Sequence, residues 1–210
     1  MNLQIKFLTD IIKPWEELNL RLGMQHAIQP EISDFTRMAY ALSVMIKHFA
    51  EPDVKPKNAS IESQAYKVIS DVADASKHKK LDVDSRNNTL ILSSCFEGTD
   101  DEKFRFIRNV ITINHKSLGK LDFIETARDA ILYLIEKLKL NIKWTPIVIE
   151  GKDFQDEVLL HLETKYQVSW SGLSIQFLKR NKNGDLVPYD PPKWKFSMVS
   201  SNPIFNKGIK

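Results

Sequence analysis

Cysteine and glycine are both scarce in this chain of 210 residues, and each scarcity argues against a class of protein. The single cysteine, Cys95, has no second thiol with which to form an internal disulfide or a thiolate metal site. Only 7 glycines occur, and they form no Gly-rich loop of the kind that cradles nucleotide phosphates. The sequence therefore argues against a disulfide scaffold, a P-loop nucleotide hydrolase and a dinucleotide-binding enzyme. A single thiol also fits a reducing compartment, so we expect a cytoplasmic protein.

Long apolar runs are missing as well, and the net charge is small. Uninterrupted apolar stretches are only a few residues long, whereas a bilayer-spanning helix needs roughly 20 apolar residues. Lys6, Asp10 and Lys13 interrupt the N-terminal stretch, so it lacks the layout of a signal segment, and we expect no membrane partner. The net charge of +3 is too small to imply a polyanionic partner. The surplus lies in residues 141–210, which carry 10 basic and 7 acidic side chains.

The spacing of apolar residues divides the chain into an early helical part and a later strand-rich part. Over residues 1–80, apolar side chains recur at three- and four-residue steps, which predicts amphipathic helices. Pro14 must either kink the first of these or begin its second half. The apolar residues of that first helix are Leu8, Ile11, Ile12, Trp15, Leu18 and Leu22. We predict a helical region over residues 1–80 and an α+β region over residues 81–210, which share one core.

After residue 80 the apolar period changes from 3.6 to 2, which indicates strands. Residues 89–96 and 104–115 predict a hairpin, and a long amphipathic helix follows with Asp122 as N-cap and Glu125 at the capping-box position. The dipeptide Asn183-Gly184 favours a hairpin turn. Further strands are predicted over residues 146–150, 169–180, 186–189 and 194–198. The expected class is α+β, with an N-terminal helical segment, a central β-hairpin plus a long amphipathic helix, and C-terminal strands that pair mostly antiparallel.

The densest set of chemistry-bearing side chains lies on the helix predicted over residues 61–78. Its expected buried face is the apolar stripe Ile61, Ala65, Val68, Val72 and Ala75. An ionisable stripe lies about 130° away around the helix and consists of Lys67, Asp71, Asp74 and His78. Two carboxylates and an imidazole could bind a metal or supply a general base. The alternative is a set of surface ion pairs at i,i+4 spacing, Lys67 with Asp71 and Asp74 with His78.

The surroundings of this stripe disfavour a divalent cation. Lys77, Lys79 and Lys80 crowd the C-terminal end of the helix, where they would repel a metal ion. No second group of metal ligands with a recognisable spacing occurs in the sequence. We therefore expect no bound metal and no cofactor.

A further candidate for nuclease chemistry is the pair Arg21 and His26. HEPN-type ribonucleases place an Arg and, four to six residues later, a His on a helix, where both act on the scissile phosphate. Arg21 and His26 have this order on a predicted helix, but five helical steps place them about 140° apart, so they do not share a face. Arg108 and His115 have a similar order in a segment with strand periodicity, where the geometry differs.

Basic and aromatic residues are interleaved near the predicted C-terminal hairpin. The set consists of Lys179, Arg180, Lys182, Lys193, Trp194 and Lys195. On a sheet, such residues can follow a phosphate backbone and stack on bases. The alternative is that the lysines prevent edge-to-edge pairing of strands while the aromatic rings lie in the core. The small net charge predicts that any nucleic-acid binding is weak.

Three functions remain open at this point. The first is a non-catalytic accessory or protein-interaction subunit of a cytoplasmic bacterial or phage assembly, which is favoured because no catalytic motif with a defined mechanism occurs. It implies a protein partner and no enzymatic activity. The second is a nucleic-acid-binding module that uses the basic C-terminal sheet. The third is a HEPN-like or metal-dependent nuclease built on Asp71, Asp74 and His78, or on Arg21 and His26.

Overall fold

The computed structural model describes residues 2–25, 31–49, 51, 54–78, 81–162 and 174–200. The helices in this part of the chain are α1 (Leu3–Phe7), α2 (Lys13–Leu22), α3 (Glu31–Phe49), α4 (Pro56–Glu62), α5 (Gln64–Ala75) and α6 (Phe123–Lys137). The strands are β1 (Asn88–Gly98), β2 (Phe104–His115), β3 (Gly119–Asp122), β4 (Phe154–Gln155), β5 (Val158–Leu162), β6 (Ile175–Arg180), β7 (Leu186–Pro188) and β8 (Phe196–Ser200). The α+β class and the N-terminal helical segment are confirmed. None of the described helices is long and apolar enough to cross a bilayer.

Pro14 lies inside a continuous N-terminal helical segment. The segment consists of α1, a π-helical turn over Leu8–Ile12, and α2, in which Pro14 is the second residue. Proline cannot donate a backbone hydrogen bond, and its ring crowds the carbonyl four residues earlier. In the π turn, the N–H of Lys13 donates to the carbonyl of Leu8, five residues earlier. This wider turn loosens the helix where the proline ring would otherwise clash.

The π turn also changes which side chains face the core. Phe7 is fully buried and packs edge-on against Phe49, with the ring centroids 5.0 Å apart. Leu8, which regular helical spacing predicted to be buried, is 38% exposed. That prediction is wrong because the wider turn adds a residue and shifts the helical phase. The other apolar residues of the predicted stripe are buried: Ile11, Ile12, Trp15, Leu18 and Leu22.

Strand pairing is mixed. The larger sheet has the order β3-β2-β1-β6-β7, and β4 pairs with β2. Strands β2 and β3 are antiparallel, as are β6 and β7, whereas β1 and β6 run parallel with Ser94 opposite Ile175. Strands β5 and β8 form a separate parallel pair. The antiparallel pairing expected near the C-terminus therefore holds for β6 with β7 but not for β5 with β8, which no short turn joins.

Residues 146–150, predicted as a strand, form none in the structure. Pro146 has no N–H to contribute to a sheet ladder. The carbonyl of Ile147 instead accepts a hydrogen bond from the side-chain amide of Asn19 at 2.8 Å. This contact gives the Ile147 carbonyl a partner in place of a neighbouring strand.

The predicted hairpin at Asn183-Gly184 is present between β6 and β7. Only Gly184 has a positive φ, +88°, although both residues tolerate one. Asn181 supports the turn through its side-chain oxygen, which accepts from the backbone N–H of both Asn183 and Asp185 at 2.9 Å. The turn is therefore held by a side chain that precedes the expected dipeptide.

The chain forms two compact units, each assembled from three separate stretches. The first unit contains residues 1–19, 36–91 and 111–148. The second contains residues 20–35, 92–110 and 149–210. The two long strands β1 and β2 each contribute residues to both units.

Helices α5 and α6 pack against each other in the first unit. Helix α6 begins as predicted, with Asp122 Oδ1 accepting from the Glu125 N–H at 2.9 Å. The indole N–H of Trp15 donates to the Ile124 carbonyl at 3.0 Å, so the polar edge of this buried ring is satisfied. The fully buried residues of α6 are Phe123, Ile124, Ala127, Ala130, Ile131 and Leu134.

The second unit contains a buried cluster of Phe96, Phe104, Phe106, Val158 and Leu160. Gly151 lies directly against the backbone of one of its strands, where its N–H donates to the Ile107 carbonyl at 2.8 Å. A Cβ atom at this position would come within 2.3 Å of the Phe106 carbonyl oxygen. Glycine is therefore required here for the close approach of two backbone segments.

The burial of α6 predicts the effect of shortening its side chains. Leu134 is fully buried. The substitution Leu134→Ala should therefore lower the free energy of unfolding by about 2–5 kcal/mol, since it leaves a cavity in the core. Leu132, on the same helix, is 39% exposed, so Leu132→Ala is a matched control with an expected loss of about 1 kcal/mol or less. Urea unfolding measures both. Equal losses in the two variants would contradict the packing of α6.

Candidate functional site

The ionisable stripe predicted on residues 61–78 lies mostly on α5, and much of that helix is buried. Ser63 separates α4 from α5 and caps α5, since its Oγ accepts from the Tyr66 N–H at 3.2 Å. The single helix predicted over residues 61–78 is therefore wrong at its beginning, and Ile61, before the break, is 78% exposed. Residues 68–73 are all buried. Asp71 is among them, with 1% of its surface exposed.

Asp71 is held by two partners from outside its helix. Arg86 Nε donates to Asp71 Oδ1 at 2.6 Å, and His115 Nε2 lies 3.2 Å from Oδ2. Arg86 belongs to the short 3₁₀ turn Asp84–Arg86, and His115 ends β2. A carboxylate this deeply buried needs partners because removing it from water unpaired is costly. The structure thus gives Asp71 partners other than Lys67, which is exposed.

Asp74, one turn further along α5, is shared between two cations. Arg86 Nη2 donates to Asp74 Oδ2 at 2.6 Å, and Lys47 of α3 donates to Oδ1. Burial alone would raise the pKa of Asp74, but hydrogen bonds from Lys47 and Arg86 outweigh it and lower the pKa below its ordinary value. We refer to Lys47, Asp71, Asp74, Arg86 and His115 together as the Asp71 cluster.

The protonated nitrogen of the buried His115 side chain follows from its neighbours. The backbone N–H of Ser117 donates to Nδ1 at 3.4 Å, so Nε2 carries the proton directed at Asp71. The Ser117 hydroxyl also lies 3.3 Å from Nδ1, which gives the sequence carboxylate, imidazole, hydroxyl that hydrolase triads use. However, the Ser117 amide already faces the nitrogen that would take the serine proton, and Arg86 neutralises the carboxylate. These contacts favour a structural role.

A pocket of about 420 Å³ opens beside the Asp71 cluster. Its walls come from α3, α4, α5 and the Asp84–Arg86 turn, and its lining includes the cations Lys47, Lys57, Lys67 and Arg86. Asp71 and Asp74 also line it. The cations therefore exceed the carboxylates by two charges. The volume falls within the range of about 300–1,000 Å³ that is usual for small-molecule sites.

The residues considered for nuclease chemistry are Asp71, Asp74 and His78 on one hand, and Arg21 and His26 on the other. Asp71 and Asp74 face Arg86, whereas His78 is exposed beyond the end of α5. Arg21 lies 3.6 Å from the carboxylate of Asp34, and His26 lies outside the described residues. Within the part of the chain that the structure describes, no group of three or more His, Cys, Asp or Glu side chains is arranged to hold a metal ion.

The basic residues near the C-terminal hairpin differ in their pairing with carboxylates. Lys179 pairs with Asp100, and Arg180 Nε lies 2.9 Å from Oε1 of the buried Glu97. Both cations are therefore partly neutralised. Among the described residues, the exposed cations of this set without an ion pair are Lys182, Lys193 and Lys195.

Trp194 packs against two aromatic rings and is still partly exposed. Its ring lies edge-on to Phe177, with the centroids 5.0 Å apart, while 43% of the residue is exposed. Phe196, whose ring centroid is 6.1 Å from that of Trp194, is 37% exposed. Lys193 and Lys195 flank the indole in sequence and are both exposed. We refer to residues 193–196 as the Trp194 surface.

The sequence indicates Asp71 and Asp74 but not the residues that hold them. Arg86 lies in a short polar segment, and His115 ends a strand, so no spacing rule connects either residue to α5. The usable signal is the i,i+3 spacing of two carboxylates on a helix with many apolar neighbours. Such carboxylates require cations from elsewhere in the chain, but the sequence does not say which ones.

No known protein family, curated protein or solved structure matches this chain. Similarity therefore assigns no activity or partner to it. The function has to be inferred from the charges, exposures and contacts of its own residues.

The burial of Asp71 predicts that its charge stabilises the fold. Asp71→Asn should lower the free energy of unfolding by about 1.5–3 kcal/mol at pH 7, because hydrogen bonds to a charged group are lost in a buried place. Asp129 also pairs with an arginine but is exposed, so Asp129→Asn should cost about 0.5 kcal/mol or less. Guanidinium unfolding measures both. Equal, small losses would mean that Asp71 is not held as described.

The same experiment at two pH values tests Asp74. A carboxylate whose pKa is lowered in the folded state stabilises the fold above its unfolded pKa of about 4, and this stabilisation is lost as the pH falls through the folded pKa. The destabilisation caused by Asp74→Asn should therefore be present at pH 7 and shrink towards pH 3. A loss that is independent of pH would show that Asp74 is not held in its charged form.

Proposed function

We propose that this protein is a non-catalytic accessory protein that binds a protein partner in a cytoplasmic assembly of a bacterium or a phage. The observation that carries the proposal is the Trp194 surface. A partly exposed indole beside a partly exposed phenylalanine forms an apolar patch of the kind that marks binding sites. Tryptophan is also among the residue types that most often dominate the binding energy of protein interfaces.

The Asp71 cluster supports a role without catalysis. A general base must be free to accept a proton, but Asp71 and Asp74 each share their oxygens with Arg86 and a second partner. The lowered pKa of Asp74 makes it a weaker base as well. A rise in melting temperature with Mg²⁺, Mn²⁺ or Zn²⁺ that Asp71→Asn abolishes would replace this proposal with the metal-dependent nuclease.

Nucleic-acid binding is the second candidate, and the same surface favours it. Lys193 and Lys195 flank Trp194 in sequence and are exposed, so the ring could stack on a base while the lysines contact phosphates. Lys179 and Arg180 contribute less because carboxylates already neutralise them. Two or three available cations support weak binding, with dissociation constants of about 10⁻⁴–10⁻⁶ M.

A partner that uses the Trp194 surface should be lost when that surface changes. In an affinity purification from extracts of the cells that produce it, we expect the tagged full chain to co-elute with one protein at a constant molar ratio. Trp194→Ser should reduce this recovery about tenfold or more, since truncating a central tryptophan commonly costs over about 2 kcal/mol. Ile147, which is 74% exposed outside this surface, provides the matched control Ile147→Ser. Quantitative mass spectrometry of the eluates compares them, and equal recovery by both variants would contradict the proposal.

Salt dependence separates the nucleic-acid candidate from the first. Each lysine that contacts a phosphate releases counterions, so Lys193→Gln and Lys195→Gln should each reduce the slope of log K against log salt by about one unit. Lys179→Gln is the control, because Lys179 is already paired with Asp100. Fluorescence anisotropy with a labelled single-stranded oligonucleotide measures the slopes. A dissociation constant below about 0.1 μM at physiological salt would make nucleic-acid binding the first candidate.

A further inference from the structure

The pocket beside the Asp71 cluster carries positive charge that its carboxylates do not neutralise. Lys47 and Arg86 are already engaged by Asp74 and Asp71. Lys57 of α4 and Lys67 of α5 line the same pocket, and neither has an ion-pair partner among the described residues. Two ammonium groups around one small cavity repel each other. An anion bound in the cavity would be attracted by both ammonium groups and would offset their mutual repulsion.

A buried hydroxyl in the same pocket is an independent observation. Ser70 is 5% exposed, and its Oγ has no hydrogen-bond partner within the described part of the chain. The Tyr66 phenol lies beside it, donates its own proton to the Lys47 carbonyl at 2.8 Å, and can accept from the Ser70 hydroxyl through its oxygen. Buried hydroxyl groups in proteins nearly always have a partner. The Ser70 hydroxyl lines the pocket with the Tyr66 phenol oxygen as its one polar neighbour of this kind, so a ligand oxygen in the pocket would give it a stronger acceptor.

We propose that this pocket binds a small organic phosphate, with Lys57, Lys67 and Ser70 contacting the phosphoryl oxygens. A phosphomonoester carries a charge of about −2 near neutral pH, which matches the two ammonium groups in excess. The phosphoryl oxygens are strong hydrogen-bond acceptors. The lysine ammonium groups and the serine hydroxyl can donate to them. Ser60, a second hydroxyl in the lining, adds a further donor.

The size of the pocket favours a small molecule over a strand of nucleic acid. A volume of about 420 Å³ can enclose a phosphate and part of an attached organic group. The exposed side chain of Ile61 belongs to the lining and offers an apolar contact for that group. A nucleic-acid strand, by contrast, requires an extended groove with cations spaced along it. All the residues that line this pocket belong to the first unit, and none of them is part of the Trp194 surface.

Three test ligands separate the phosphate from the organic group in experiments on the full chain. Adenosine monophosphate and inorganic phosphate should both raise the melting temperature, because a ligand that binds only the folded state stabilises it. Adenosine, which lacks the phosphate, should not. Isothermal titration calorimetry should give a measurable dissociation constant for adenosine monophosphate.

Substitutions in the pocket should then act on binding rather than on folding. Lys57→Ala and Lys67→Ala should each weaken adenosine monophosphate binding about tenfold or more, the usual effect of losing a hydrogen bond to a charged group. Lys120→Ala, at an exposed lysine on β3 outside the pocket, should leave the affinity unchanged. Ser70→Ala is a sharper test. It should weaken binding by a similar factor while lowering the melting temperature of the ligand-free protein little, because the Ser70 hydroxyl makes no well-aligned hydrogen bond and the Tyr66 phenol keeps its bond to the Lys47 carbonyl.

The proposal is overturned by any of four results. The first is no rise in melting temperature with either phosphate compound at millimolar concentration. The second is equal affinity for adenosine monophosphate in Lys67→Ala and Lys120→Ala. The third is adenosine binding as tightly as adenosine monophosphate, which would assign the pocket to the organic group. The fourth is binding of an oligonucleotide, abolished by Lys67→Ala, without binding of adenosine monophosphate.

Discussion

The carboxylate of Asp71 imposes the strongest single constraint on the first unit. Because it is buried, it needs hydrogen-bond partners, and these come from a turn after its own helix, which supplies the cation Arg86, and from the end of β2, which supplies His115. Through Arg86 the constraint extends to Asp74, and from there to Lys47 on α3. Apolar contacts tolerate small sliding movements, whereas these hydrogen bonds have preferred distances and directions. We infer that the cluster fixes how α3, α5 and β2 meet.

The elements that the sequence predicted well are those whose cause is local. Helix α6 begins at Asp122 because its own side chain caps the first turn, and both the cap and the apolar face can be read from adjacent residues. The break at Ser63 had a local signal too, a hydroxyl able to cap, but the apolar stripe on both sides of it suggested one helix. The parallel pairing of β5 with β8 has no local signal, since it depends on how distant segments meet.

The candidate sites show the same division between local and distant causes. Interleaved lysines and aromatic rings made Trp194 and its flanking lysines candidates for binding, and all three residues are exposed in the structure. The same pattern could not separate Arg180 from them. Its partner Glu97 lies on β1, which becomes a neighbour of β6 only through the parallel pairing of the two strands. The partners of Asp71 were hidden for the same reason, because burial and proximity arise from tertiary structure.

The π turn at Leu8–Ile12 has a consequence for how the chain can change in length. An inserted residue rotates everything before it in an α-helix by about 100°, which would carry Phe7 away from Phe49. The π turn accommodates one extra residue between α1 and α2. The side chains of α1 can therefore face their own contacts without rotating those of α2, although the backbone is continuous. Deleting a residue there would make the helix more regular and yet misplace its first turn. The packing of the Phe7 ring against Phe49 thus depends on an irregular turn in the helix.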